Sequence, residues 1–590
     1  MNYSLNKKSS NSPANQSVLT SLRKLFSLMS GEKKKLIMAA AAIIINSILT
    51  LSVPILLGQA VDKYIQTGQY RGVIVYSIIL LFIFILAFLT SYGQTRWMGE
   101  VGQKVLFNLR NNVFNKLQEL PIAFFNQNQA GDLISRLNND TDKLNQFFSQ
   151  TLMQFVGSIF IMIGSGIFII YINPRLGIAA LLPALFLLIF TRLVSPWVKN
   201  KNAVNLQTVG SLSAEVQESL DNFKVIVAFN RRDYFRDKFK IVNQNNYSSA
   251  VSAGLASNIF TPVYGFSSNL GQLVVLLYGI FLVATGNFSL GLLVSFLSYI
   301  NSFYNPLRQI AALWANFQVA LAGWDRIAEI LSLQSNIKVN AKNKKLNPQV
   351  DTPIMEFKQV SFSYAGGEDI LENVSFSLAA GKTYAFVGPT GGGKTTTASL
   401  MARLYDPNTG QILLAGQDLR CFSPQDRVQK IGFILQEPFL FSGTVQENIL
   451  YGNNKFQNCS NQQLLNALKK DGLDKLISRF PEGLNTKVST GSETLSLGQK
   501  QLIAFIRAVL REPQLLILDE ATANIDTITE QLLEEILQKL PSTTTKIIIA
   551  HRLNTIAGAD EIFFVNSGSV VKAGSMSAAI ELLMNKGRNT

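Results

Sequence analysis

Histidine is almost missing. Position 551 carries the one imidazole in 590 residues, so any imidazole chemistry in this chain has a single address. Cysteine is nearly as scarce: Cys421 and Cys459 stand far apart without metal-ligand spacing, which argues against a structural disulfide and fits a reducing compartment. Acidic residues are outnumbered, 38 against 53 basic ones, for a net charge of +15. That excess is scattered among polar loops rather than gathered into one patch with interleaved aromatics, so nucleic acid is not an expected partner. No charged leader with a short apolar run and a cleavage site opens the chain, which predicts no removable signal peptide. Charges also nearly vanish from the apolar stretches of the first 320 residues, against an ion pathway through them.

What the first half has instead is apolar length. Hydrophobic residues make up 47% of the chain, and before residue 320 they form six runs, each long enough for the about 20 residues that a hydrocarbon core of about 30 Å demands. These predict spans at 36–60, 72–95, 147–171, 175–195, 257–284 and 289–311, with a tight Ile-Asn-Pro-Arg turn at 172–175. Long polar helical segments over 96–146 and 196–256 separate spans two from three and four from five. Of the Lys and Arg residues up to position 250, only Lys63, Arg71 and Arg175 fall on the opposite side, so the N terminus and both long segments are predicted to be cytoplasmic. Leu19, Leu22, Phe26 and Met29, at helical spacing around Arg23 and Lys24, predict an interfacial elbow helix before the first span. Asn258, Asn269, Gln272, Asn301, Asn305, Gln309 and Trp314 are candidates for lining a substrate path, with interhelical hydrogen bonding as the alternative. Arg308 either faces a wet cavity or snorkels to the inner interface.

The expected fold is therefore an α-helical transmembrane domain of six spans over 36–330. A cytoplasmic segment, 1–35, precedes it, and an Asn-, Lys- and Pro-rich linker, 331–353, leads to a soluble α/β domain over 354–590. In that second domain Thr-Tyr-Ala-Phe-Val reads as a short strand. It runs into Gly388, Pro389, Thr390, Gly391, Gly392, Gly393, Lys394 and Thr395, followed by Thr396 and a helical pattern, and so matches G-x-x-x-x-G-K-[ST] in strand–loop–helix context. Glycines let successive backbone N–H groups turn around a phosphate, Lys394 brings a point charge to the β and γ phosphates, and Thr395 offers an oxygen to Mg²⁺. A second aliphatic run, Leu-Leu-Ile-Leu, ends in Asp519 and Glu520. Beside a phosphate loop, Asp519 is placed to reach hydrated magnesium and Glu520 to orient and deprotonate a water. These residues predict a P-loop nucleotide hydrolase of the α/β class.

Leu495-Ser496-Leu497-Gly498-Gln499 narrows the class, because it resembles the signature of ATP-binding cassette (ABC) transporters and precedes the Asp519 strand as that family requires. The resemblance covers nearly all of residues 16–580. Gln436 resembles the Q-loop glutamine that touches Mg²⁺ and the water, Asp526 the D-loop, His551 the switch histidine and Tyr364 the aromatic that stacks on adenine. The stretch from Leu120 to Leu144 is similar to the first intracellular loop with its transverse coupling helix, and that around Phe223 to the second. A membrane domain fused ahead of one cassette looks like an exporter half-transporter. The resemblance implies an obligate dimer, homodimer or heterodimer, in which Ser496, Gly498 and Gln499 complete the partner's ATP site. It further implies ATP and Mg²⁺ as cofactors and export of hydrophobic or amphipathic compounds from the cell membrane. A lipid or lipid-precursor flippase is the alternative; a channel-like ATP binder is disfavoured by Glu520 and an importer by the fusion. Leu497 departs from the glycine usual in the signature, which raises the prospect of an asymmetric heterodimer.

Overall fold

A computed structural model describes residues 3–5, 29–335, 352–456, 459–470, 472–489, 495–519, 527–549 and 558–573, with 578 and 581. The chain divides into two compact units. One comprises Lys8–Leu117 and Gly131–Ser332, the other Met1–Lys7, Gln118–Ala130 and Leu333–Thr590.

The first unit is helical. Its elements are α1 (Lys33–Ala60), α2 (Tyr70–Glu119), then α3 (Ile122–Gln127), which belongs to the other unit, α4 (Ala130–Ser135) and α5 (Thr141–Gln146). They are followed by α6 (Leu152–Ile172), α7 (Pro174–Asp221), α8 (Phe223–Ala228), α9 (Arg232–Asn258), α10 (Phe260–Ala284) and α11 (Leu290–Ser332). Single π-turns at Arg136–Asp140 and Phe147–Thr151 join α4, α5 and α6 into one run. In α2 the side-chain pattern changes along 50 residues, about 75 Å of helix. Phe82, Ile85, Phe88 and Leu89 are exposed, as lipid-facing groups are, whereas Met98, Val101, Val105, Leu109, Val113 and Leu117 form one buried stripe at helical spacing. At the turn between α6 and α7, Asn173 Oδ1 accepts from the Leu176 N–H at 3.1 Å and Pro174 takes the first helical position, where its missing N–H costs nothing.

Five helical runs among the described residues are long and apolar enough to cross a membrane: Lys33–Ile65, Tyr70–Glu119, Ala130–Ile172, Pro174–Asp221 and Arg232–Ala284. The sixth expected span, 289–311, is the front half of α11. It is long enough, but Asn301, Asn305, Arg308 and Gln309 dilute its apolar stretch, and all four are exposed. Packing and hydrogen bonds hold this helix where apolarity alone does not. Its backbone meets α1 at Gly58 and Gly291, where a Cβ on either glycine would lie within 2.1 Å of the facing helix. Along that seam Ser295 donates to the Pro54 carbonyl at 2.7 Å and Tyr299 to the Leu51 carbonyl at 2.6 Å. Asp62 caps the start of α11, accepting from the Gly291 N–H at 2.7 Å and from the Ser289 hydroxyl. Near its other end, Arg136, 3% exposed, bridges Asp132 at 2.9 Å and Glu329 at 2.7 Å, while Arg326 reaches Asp140 at 3.2 Å. The expected elbow helix lies, except for the buried Met29, outside the described residues.

The second unit carries twelve strands among its described residues: β1 (Met355–Ser363), β2 (Asp369–Leu378), β3 (Thr383–Val387), β4 (Thr409–Leu414), β5 (Gln417–Asp418), β6 (Ile431–Ile434), β7 (Gly443–Thr444), β8 (Lys487–Val488), β9 (Leu515–Asp519), β10 (Thr545–Ile549), β11 (Glu561–Asn566) and β12 (Ser569–Lys572). They form an antiparallel sheet, β2-β1-β4-β5, a six-stranded sheet, β12-β11-β3-β10-β9-β6, and the small β7-β8 pair. In the six-stranded sheet β3, β10, β9, β6 and β11 run parallel, so their connections must cross over and cover both faces. All five residues of β9 are accordingly buried. Register then does the positioning: Ile549 pairs with Phe386 on one side and Asp519 on the other, which brings the ends of β3, β10 and β9 to one edge. A crevice at the C-terminal edge of parallel strands is where α/β folds hold ligands.

Candidate nucleotide site

The loop after β3 leads into α12 (Lys394–Met401), and Gly393 precedes that helix with a left-handed φ of 106°. Gly388 is the tighter position: its φ is 151°, and a Cβ there would lie 1.9 Å from the Val565 carbonyl of β11. Only a residue without a side chain passes that strand and turns back into the helix. Lys394 is 6% exposed and its ammonium donates to the carbonyls of Gly388 and Pro389, both at 3.0 Å, folded back across the loop it belongs to. A buried ammonium requires such partners, and phosphate oxygens are stronger ones than carbonyls.

The two acidic and hydroxyl motifs meet here. Thr395 Oγ1 donates to Asp519 Oδ1 at 3.3 Å, across 124 residues of sequence, and Asp519 is 1% exposed at the end of β9. Their oxygens form a hard-donor pair beside the phosphate loop, of the kind that suits Mg²⁺ with several waters retained. On the other side of α12, Thr396 Oγ1 and the Tyr364 hydroxyl lie 3.3 Å apart. Tyr364 is 38% exposed and its ring stands edge-on to Phe362 and Tyr405, with centroids at 5.0 and 5.2 Å. Thr390, Gly391 and Gly392 complete the loop, with open space around Gly391.

Gln436 is exposed two residues beyond β6, whose Ile434 pairs with Leu518, next to Asp519. The segment behind it is held by Arg507 on α13 (Leu497–Val509). Its guanidinium donates to the Asn448 carbonyl at 2.7 Å, the Phe439 carbonyl and the Asn448 side chain, both at 3.1 Å. Burial lowers the Arg507 pKa to about 10. The sequence motifs did not single out Arg507, Val565 or Tyr405. Each acts through a neighbour distant in the chain, and no spacing rule signals that.

Ser496 caps α13: its hydroxyl accepts from the Gln499 N–H at 3.2 Å, and Gln499 Oε1 accepts from the Ser496 N–H at 3.0 Å. Gln499 also donates to the Arg479 carbonyl at 3.3 Å. No hydrogen bond among the described residues joins Ser496, Gly498 or Gln499 to the phosphate loop of the same chain, and Leu497 is 43% exposed at the first helical position. Glu520, Asp526 and His551 lie outside the described residues.

Comparison with known proteins finds likeness on both sides of the linker. Residues 36–307 match the model of the ABC transporter transmembrane region and residues 371–523 that of the ABC transporter. A fatty acid ABC transporter ATP-binding/permease protein of Mycobacterium tuberculosis is 33% identical, covering 86% of this chain and 79% of its own. A probable multidrug resistance ABC transporter ATP-binding/permease protein of Bacillus subtilis is 30% identical over 86% and 73%, and an ATP-dependent lipid A-core flippase of Syntrophus aciditrophicus 29% over 94% and 91%.

Proposed function

Because the chain belongs to the ABC transporter family, with the transmembrane region and the ATP-binding cassette fused on one polypeptide, we propose a specific division of labour among its residues. The activity is ATP-driven export of hydrophobic compounds, coupled to ATP hydrolysis in a membrane-integral half-transporter. The observation that carries the site assignment is the Thr395–Asp519 contact beside the Lys394 loop. Thr395, Asp519 and Gln436 would hold Mg²⁺, Asp519 by way of water, and bound there the ion would supply charge neutralisation to the phosphates of ATP. Gly388, Pro389, Thr390, Gly391, Gly392, Gly393, Lys394, Thr395 and Thr396 cradle those phosphates, and Tyr364 stacks on the base. Glu520 takes a proton from the attacking water, with His551 and Gln436 orienting the reacting end.

Ser496, Gly498 and Gln499 act on the partner's nucleotide. Ser496 sits at the N-terminal end of a 13-residue helix, where backbone N–H groups and the helix dipole favour phosphate. Two cassettes close on ATP through these groups and Asp526, and separate after hydrolysis because the bridging γ-phosphate is gone, which is a ligand with different affinity for two states. We place the N terminus and the cassette on the cytoplasmic side of the cell membrane, following the Lys and Arg distribution. A flippase of lipids or lipid precursors is the second reading, favoured by the exposed polar face of α11 with Arg308 on it, a costly arrangement against lipid tails. Asn301 meets Gln272 of α10 there at 3.0 Å.

The test is ATPase activity of the purified chain in lipid, alone and with a second cassette chain, across a panel of drugs, fatty acids and lipid precursors. Stimulation by amphiphiles, abolished by Glu520→Gln, supports the assignment. ATPase that survives both Glu520→Gln and Asp519→Asn overturns it.

A further inference from the structure

The second unit draws a short piece of the membrane half into itself. Residues 118–130, between the second and third spans, group with the cassette, and α3 lies in this segment. Its Phe124 is fully buried, and the chain's N-terminal residues strap it down: the Tyr3 N–H donates to Gln127 Oε1 at 2.7 Å, Asn128 donates to the Tyr3 carbonyl at 3.0 Å, and the Tyr3 ring stands edge-on to Phe124. On the opposite flank Asn126 Nδ2 donates to the Tyr405 hydroxyl at 2.7 Å, joining residues 279 apart in sequence.

Tyr405 does not stop at that bond. Its ring packs on Tyr364 at 5.2 Å and on the buried Phe362 at 5.6 Å, and Tyr364 in turn reaches Thr396 of the phosphate-loop helix. Burial raises the Tyr405 pKa, so its hydroxyl stays protonated and available at neutral pH. The line Asn126, Tyr405, Tyr364, Thr396 is continuous and runs from α3 to the base side of the nucleotide site. With Phe362 as a fixed wall, the Tyr405 ring has two supports, that wall and the Asn126 tether. Losing the tether frees the ring against which Tyr364 leans.

We propose that Tyr405 is a positioning residue that fastens α3 to Tyr364, so that docking of α3 and binding of the nucleotide base favour each other. Thermodynamic reciprocity makes this one coupling seen from two ends: whatever withdraws α3 weakens base binding, and nucleotide binding holds α3 in place. The proposal rests on the reading of Tyr364 as the base-stacking residue. It gives this segment a role in ATP affinity within its own chain.

The test is equilibrium titration of the full chain in lipid nanodiscs with ATP and with inorganic triphosphate, which has no base. Tyr405→Phe keeps all three rings and removes only the hydroxyl; Asn126→Ala removes the other end of the tether. Each is expected to weaken ATP about fivefold, the scale of one net hydrogen bond, and to leave triphosphate affinity unchanged. The double variant is expected to be no weaker than either single one, because both delete one interaction. Unchanged ATP affinity in Tyr405→Phe, equal weakening of ATP and triphosphate, or additive losses in the double variant each overturn the proposal. Tyr364→Ala tells the two readings apart. If it weakens ATP and spares triphosphate while Tyr405→Phe does nothing, the tether fails and the base assignment stands. If Tyr364→Ala treats both ligands alike, the base assignment falls and the proposal falls with it. Should Asn126→Ala not fold, Tyr405→Phe decides by itself.

Discussion

Replacing Gly388 by Ala adds one methyl group at the narrowest point of the nucleotide site. The methyl would start 1.9 Å from the Val565 carbonyl oxygen, where contact distances are well above 3 Å, at a backbone φ of 151°. That carbonyl has little room to withdraw. Its strand pairs with β3 through Phe564 and Val387, and with β12 through Val565 and Val570. Overpacking of a tight site costs about 1–3 kcal/mol, and a left-handed backbone adds about 1–2 kcal/mol once a Cβ is present. The expected penalty of about 2–5 kcal/mol is a large share of the about 5–15 kcal/mol that holds a typical domain together. Gly391→Ala is the internal control, because nothing lies within 4 Å of its Cβ and only the φ of 82° opposes it. Chemical denaturation of the cassette and ATP titration read both variants. Gly388→Ala should lose stability by clearly more than Gly391→Ala and bind ATP at least about tenfold more weakly, since about 1.4 kcal/mol is one decade. Equal stability of the two variants, or normal ATP affinity in Gly388→Ala, would refute the reasoning about the Val565 wall.

Three further perturbations probe other parts of the site. Lys394→Ala should abolish nucleotide binding at its own site if, as proposed, its ammonium meets phosphate in the ground state; calorimetry showing unchanged affinity would remove it from the phosphate cradle. Arg507→Met should lower the unfolding free energy by about 2 kcal/mol or more, read as an earlier denaturation midpoint, since it strips partners from the Phe439 and Asn448 carbonyls; a neutral result would mean that water replaces the guanidinium at no cost. Hydrogen bonds from Lys572 and then Lys382 hold the Glu561 carboxyl below its usual pKa of 4.5. Its contribution to stability is thus present above the unfolded value and is lost as pH falls through the folded one. Limited proteolysis of the cassette between about pH 6 and 3 should respond less steeply in Glu561→Gln.

The glycine-rich loop before Lys394 was legible because glycine spacing encodes backbone geometry directly, and the strand ending at Asp519 because four consecutive aliphatic residues in a parallel sheet leave little else to be. The turn at 172–175 was legible for a similar reason, Asn and Pro fitting a helix cap at adjacent positions. Span six was harder to place by apolarity, since α11 relies on the Gly58–Gly291 crossing and on Asp62, and a glycine pair on two distant helices has no signature in either helix alone. Arg136 was likewise silent in the sequence, where it looks like any basic residue of a polar segment rather than a buried ion-pair centre. Tyr405 sits in a stretch, Leu-Tyr-Asp-Pro, that reads as an ordinary loop. Its role comes from Asn126, and only the fold brings that partner near.

Transport itself is the measurement closest to the centre of this account. Proteoliposomes that hold the chain with its cassette outward, together with a second cassette chain if activity requires one, are loaded with ATP and Mg²⁺ outside and offered a fluorescent fatty acid or other amphiphile. The account predicts accumulation in the lumen that needs ATP hydrolysis, stops with Glu520→Gln and Lys394→Ala, and follows ATP consumption. Hydrolysis without vectorial movement of any amphiphile, or movement that persists in Glu520→Gln, would contradict it.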